Sequence, residues 1–193
     1  MVTDRRAPLR AALLGAAVVW VLAATPARAD LRIGNLSVFL NDYDVTVHVV
    51  LFGAIPDNLL ESLHSGIPTQ VRLRVELWQY NRFLPDRRTQ SRNVDRQITY
   101  NPLTKEYKVV SVKAEHREPY ITKDLREAQR VLSEFHIGQL IPAASLDAKE
   151  LYYVRVQSIV SLGGVNSWVA RFTGDAEQTD WIRSSLLTLT RRQ

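Results

Sequence analysis

Cysteine is absent from this 193-residue chain. That removes disulfides, thiol nucleophiles, zinc–thiolate sites and iron–sulfur clusters together. Histidine is scarce. The four residues, His48, His64, His116 and His136, stand at no metal-ligand spacing and form no H-E-x-x-H run. No G-x-S-x-G elbow occurs among the serines. Gly163-Gly164 has no phosphate-loop pattern around it. His64-Ser65-Gly66 sets two triad residue types side by side, but triads are defined in space, and a helix end explains these three residues better. Asp42 and Asp44 flank Tyr43. Val45, Val47 and Val49 follow where a calcium loop needs further oxygen ligands, so a hairpin turn is the reading. No motif for a metal, a cofactor or a reaction is present, and the expectation is a non-enzymatic protein with no cofactor.

One apolar run stands out, from Ala11 to Ala24, behind Arg5, Arg6 and Arg10. It is shorter than the roughly 20 residues a membrane span needs. Ala27-Arg28-Ala29 then supplies the small residues that signal peptidase inspects, Ala27 and Ala29. Residues 1–29 therefore read as a cleavable secretory signal, leaving a single domain over 30–193. Arg5-Arg6 fits twin-arginine export poorly, because Asp4 precedes it and Ala7-Pro8 follows. No Cys follows the cleavage point to take a lipid, and no later segment is apolar for long enough to cross a membrane. The expected location is the periplasm or another exported compartment.

The signal also distorts the charge. It holds four of the 25 Lys+Arg and one of the 20 Asp+Glu, which leaves the mature part at a net of +2. So slight an excess is no argument for a nucleic-acid partner.

The mature chain reads as mainly β with two helices (α+β): an antiparallel β-sandwich or a partly open barrel. Leu31 to Phe52 has the period-two pattern of a hairpin, with Leu36, Val38 and Leu40, then Val45, Val47, Val49 and Leu51. A short helix follows, with Pro56 in its first turn, Leu59, Leu60 and Leu63 on one side, and Gly66 to end it. Val71, Leu73, Val75 and Leu77 make the clearest strand. Asn81 to Asn93 is polar and reads as a loop or an extended hairpin tip. Val94 to Tyr100 and Lys105 to Val112 are strands joined by Asn101-Pro102-Leu103-Thr104. A longer helix is expected from Leu125 to His136, capped by Asp124 with Glu127 in capping-box spacing and closed by Gly138. Leu151 to Leu162 returns to strand. Trp168, Ala170 and Phe172 suggest a partner strand, and Trp181 to Thr190 a last one.

One surface feature carries chemistry. Arg82, Arg87, Arg88, Arg92 and Arg96 fall close together, and Arg72, Arg74 and Trp78 lie on one face of the strand leading to them. Guanidinium groups grip phosphates and carboxylates in bidentate fashion, and Trp adds stacking. These eight residues form a candidate patch for an anionic ligand. The blander alternative is a solvated loop beside a stripe of long arginines covering the sheet.

Three stretches carry a family resemblance: the valine-rich second strand; Leu63-His64-Ser65-Gly66-Ile67-Pro68 leading into Val71-Arg72-Leu73-Arg74-Val75-Glu76-Leu77; and Ile98-Thr99-Tyr100-Asn101-Pro102-Leu103-Thr104-Lys105-Glu106-Tyr107. On these the region from Leu31 to Leu189 resembles the bacterial exported family called domain of unknown function 4390. The resemblance implies an exported protein without assigned activity, and an accessory to signalling, since some members are encoded near membrane sensor kinases. It supplies no catalytic residues. The expected function is a binding module of the envelope, with a protein or an anionic ligand as partner and a link to a membrane sensor. Two alternatives stay open. One is an exported hydrolase of cell-wall or polysaccharide material whose paired carboxylates are distant in sequence. The other is a carrier holding an apolar ligand inside its sheet.

Overall fold

The computed structural model describes residues 30–40, 43–163 and 176–188. Two antiparallel sheets share one hydrophobic core. The smaller has the order β1-β2-β7, from Arg32–Leu40, Val45–Phe52 and Glu134–Ile137. The larger runs β10-β8-β3-β4-β5-β6, from Ile182–Arg183, Leu151–Leu162, Thr69–Tyr80, Arg87–Asn101, Glu106–Lys113 and Tyr120–Thr122. A further strand, β9 (Ala176–Gln178), also pairs with β8. The sheets do not close into a barrel.

The period-two pattern explains the core. Val45, Val47 and Val49 of β2 and Val71, Leu73, Val75 and Leu77 of β3 are fully buried in the same cluster. Complete burial of such side chains is worth about 1.5–3 kcal/mol each. It also shows that the four β3 residues pack against the core.

Helix α1 (Asp57–His64) starts after Pro56, whose carbonyl accepts the N–H groups of Leu59 and Leu60. Leu59 and Leu63 face the core. At its end the Gly66 N–H donates to Leu63 O and the Ile67 N–H to Ser62 O, with Gly66 at φ +88°. That is a Schellman closure, which needs a residue tolerant of positive φ.

Three expectations need correction. The Asn81–Asn93 stretch is mostly strand: β4 begins at Arg87 and runs 15 residues, so only Asn81–Asp86 form the connection. Its polar composition is misleading because residues 87–93 carry only polar side chains, exposed or half-buried, while their backbone pairs with β3. Helix α2 ends at Ser133, three residues short of His136, and β7 begins at once. Phe135 satisfies a helical stripe and a strand alternation equally. Pairing with β2 wins, with Phe135 and Ile137 buried and Glu134 and His136 exposed. Gly138 therefore closes no helix, and Gln139 is the residue at positive φ there. Trp181 to Thr190 is no continuous strand within the described residues. β10 has two residues, and Leu187 returns as an isolated bridge to Tyr152. Between them the Ser184 hydroxyl accepts the Val154 N–H in place of a ladder bond.

Asp124 caps α2 by accepting the Arg126 N–H. Glu127 does not complete the box. Its carboxylate accepts the hydroxyls of Tyr120 and Thr122, and Thr122 Oγ1 takes the Asp124 N–H instead. The Asn41-Asp42 turn, residues 164–175 and Leu189-Thr190 lie outside the described residues, as do Ala27 and Ala29 with the whole 1–29 segment.

Candidate functional site

The outer face of the large sheet is built by alternation. In β3, Val71, Leu73, Val75 and Leu77 point to the core, so Arg72, Arg74, Glu76 and Trp78 point away from it. In β8, Val154 and Val156 do the same for Tyr153 and Arg155. Register then sets Glu76 opposite Arg155 and Trp78 opposite Tyr153, while β10 adds Arg183 beside Arg155.

These side chains interleave as cations and rings. The Arg155 guanidinium lies between two indoles, 4.2 Å from the Trp78 centroid and 4.4 Å from that of Trp181. Arg74 sits 5.2 Å over Trp181, and Arg183 is 3.8 Å over Tyr153. At the centre is Glu76, 1% exposed. It accepts Arg155 Nε at 2.7 Å, Trp78 Nε1 at 2.9 Å and Arg88 at 3.3 Å, with Arg74 at 3.9 Å. Burial pushes the Glu76 carboxyl up, but those donors outweigh it and hold it below the usual carboxylate range. Arg72 makes a two-pronged pair with Asp95 at 2.9 and 3.0 Å. Four of the five arginines thus pair with Glu76 and Asp95, the charge of Arg183 acts on nearby Asp86, and the outer ends of Arg74 and Arg88 remain 40% and 55% exposed. The surface is a ladder on a sheet face, able to offer guanidinium groups already oriented by rings and by one buried carboxylate.

The structure divides the eight sequence-derived residues. Arg72, Arg74, Trp78 and Arg88 belong to the ladder. Arg92 and Arg96 do not: the register Val75↔Arg92 and Val71↔Arg96 places them on the core side of β4. Arg96 donates to both oxygens of Glu115 at 2.7 Å and to the carbonyls of Val131 and Glu134, over the ring of Phe135. Arg92 donates to the carbonyls of Gly138 and Gln139. Both tie β4 to the α2–β7 segment. Arg88 shares their even numbering yet reaches the outer face, because a register shift between Leu77 and Trp78 inserts one extra β4 residue and flips the alternation. Arg87 donates to Gln79, and Arg82 lies in the hairpin tip over Phe83.

Sequence reasoning missed Arg155, Trp181 and Arg183, because β8 and β10 reach the ladder only through long-range pairing. The signal available was the alternation of Arg155 between Val154 and Val156.

A second concavity, of about 580 Å³, lies beside the β7 edge. His48, His116 and His136 line it with Arg92, Arg117 and Arg130. His48 and His136 face each other across β2 and β7 with ring centroids 5.9 Å apart, so these histidines are not isolated. Among the described residues no group of three His, Asp or Glu side chains is placed to hold a metal ion. Its two acids are Glu115 and Glu134. Burial pushes the Glu115 carboxyl up, but the hydrogen bonds and charge of Arg96 outweigh it and hold the group below the ordinary range. A general acid needs the opposite shift. His64 packs elsewhere, its Nε2 2.8 Å from the Tyr107 hydroxyl.

Among the described residues no helix is long and apolar enough to cross a membrane. No curated protein and no solved structure matches the chain. The family model described as domain of unknown function (DUF4390) matches residues 28–177, more than half of the sequence, and the chain belongs to that family.

Proposed function

We propose that this protein is an exported, non-enzymatic accessory module that binds an acidic partner protein of the cell envelope through the outer face of its large sheet, and so serves a membrane sensor. The observation that carries the reading is the ladder: Arg74, Arg155 and Arg183 stacked on Trp78, Trp181 and Tyr153, with Arg72 and Arg88 beside them on the same sheet face, and an excess of positive charge. Stacked guanidinium groups lose little freedom on binding a carboxylate and match it bidentately. Export is supported by the signal-like 1–29 segment, and the absence of cysteine is compatible with it.

The test is capture from the protein's own envelope extract after mild crosslinking, with the double charge reversal Arg74→Glu and Arg183→Glu run in parallel. Both side chains reach solvent, so the variant keeps the core. An acidic envelope protein recovered with the parent chain and lost at least tenfold with the variant supports the reading. Equal recovery by both, or none by either, overturns it.

A further inference from the structure

The β3–β4 connection holds a second feature that the ladder does not use. Phe83 is 88% exposed and its neighbour Leu84 68% exposed, at the tip of the hairpin Asn81–Asp86. Two adjacent apolar side chains so far out are a cost in water, and nothing about the tip suggests slackness. The Asn81 side-chain carbonyl accepts the N–H groups of both Phe83 and Leu84 at 3.0 Å. The Asn81 N–H donates to Asp86 at 2.9 Å, and the other Asp86 oxygen accepts the Tyr153 hydroxyl at 2.8 Å. The loop is thereby clamped to β8 with its apolar pair directed outward. Asp86, the one acid in it, is engaged by those two donors. Arg82 lies 5.7 Å over the Phe83 ring, and Arg87 and Arg88 follow at the start of β4.

We infer that this tip is a membrane-contact element: Phe83 and Leu84 enter the interfacial layer of an anionic bilayer while Arg82 and Arg87 pair with its phosphate headgroups. An apolar point with a basic collar is the combination that binds such surfaces, through buried apolar area plus attraction to anionic lipid. Because the loop is already ordered, little conformational freedom is lost on insertion. Docking into an acidic protein groove is the competing occupant. The lipid surface is favoured because the apolar pair stands on a protruding tip, where a bilayer needs no matching pocket, and because all flanking charges but Asp86 are positive. The contact would hold the module at the membrane and is independent of the ladder's partner.

The cysteine-free chain makes the test site-specific. Leu84→Cys in the full chain takes an environment-sensitive fluorophore. Leu103→Cys, at 94% exposure in the turn between β4 and β5, is the control. Vesicles containing phosphatidylglycerol should shift the label at 84 to the blue and leave the label at 103 unchanged. Neutral phosphatidylcholine vesicles should shift neither, and high salt should reverse the effect by screening. Phe83→Asp should weaken the response about tenfold or more, from the lost aromatic burial. Arg82→Gln should weaken it about fivefold. No shift at 84, or equal shifts at 84 and 103, overturns the inference. So does a shift with soluble polyglutamate and none with vesicles, which would assign the tip to an acidic protein. Partner capture lost with Arg74→Glu and Arg183→Glu is a separate readout, so either proposal can fail alone.

Discussion

Burying a guanidinium is tolerable only when its charge and its donors are matched, and removing one partner of such a pair costs about 3–5 kcal/mol. Arg96, 2% exposed, is matched by the Glu115 carboxylate and two main-chain carbonyls. Arg96→Met should therefore lower the unfolding free energy in urea by about 3–5 kcal/mol. Arg96→Lys should recover only part of it, because one ammonium cannot reach four acceptors in a planar fork. The two anchoring carboxylates also set the response to acid. Glu76 and Glu115 are both held below the ordinary carboxylate range in the fold, despite burial that pushes each up, because arginine donors outweigh it. A depressed folded pKa gives stability that is complete above the unfolded value, about 4.3 for Glu, and lost as pH falls through the folded one. The urea midpoint should fall between about pH 5 and pH 3, and Glu76→Gln should shrink that fall. A midpoint independent of pH over this range would contradict the central role given to the two pairs.

At the scale of single elements, the two glycines expected to close helices part company. Gly66 sits at φ +88° with open space where a Cβ would go. Gly66→Ala should cost about 1–2 kcal/mol from backbone strain alone. Gly138 has neither a positive φ nor a crowded Cβ position. Gly138→Ala should stay within about 0.5 kcal/mol of the parent, as a surface substitution does. Thermal unfolding of the two variants side by side measures the contrast. The same elements mark what was legible. The strands with the clearest apolar alternation, β2, β3 and β8, stand where that alternation places them. The α2–β7 junction was not legible, because Phe135 fits both periods and only pairing with Val49 decides between them. The outer half of β4 was hidden by its composition, since its side chains are polar on both faces and carry no apolar alternation.

Across the whole molecule, pairing partners decide which residues form a site. The ladder draws on β3, β4, β8 and β10, and its two indoles are Trp78 and Trp181, about a hundred residues apart in sequence. A candidate arginine patch was visible in the sequence because half of it lies on one strand. Its true membership was not. The register shift at Leu77/Trp78 turns Arg88 outward and leaves Arg92 and Arg96 on the core side, and nothing local announces a bulge. The topology also predicts a stability gradient. β3 is flanked along its length by β4 and β8, whereas β6 and β10 are short edge strands. Native-state hydrogen exchange should find the slowest amides in β3 and the fastest strand amides in β6 and β10. Comparable protection in all three would contradict the packing described.

The central claim, that the outer face of the large sheet meets an acidic envelope partner, is tested most directly by photo-crosslinking in living cells. A photoreactive side chain replaces Arg74 on the ladder in one strain and Arg126, exposed on α2, in another. The account predicts one discrete crosslinked species from position 74, containing an acidic envelope protein, and none from position 126. Equal products from both positions, or none from position 74, would contradict it.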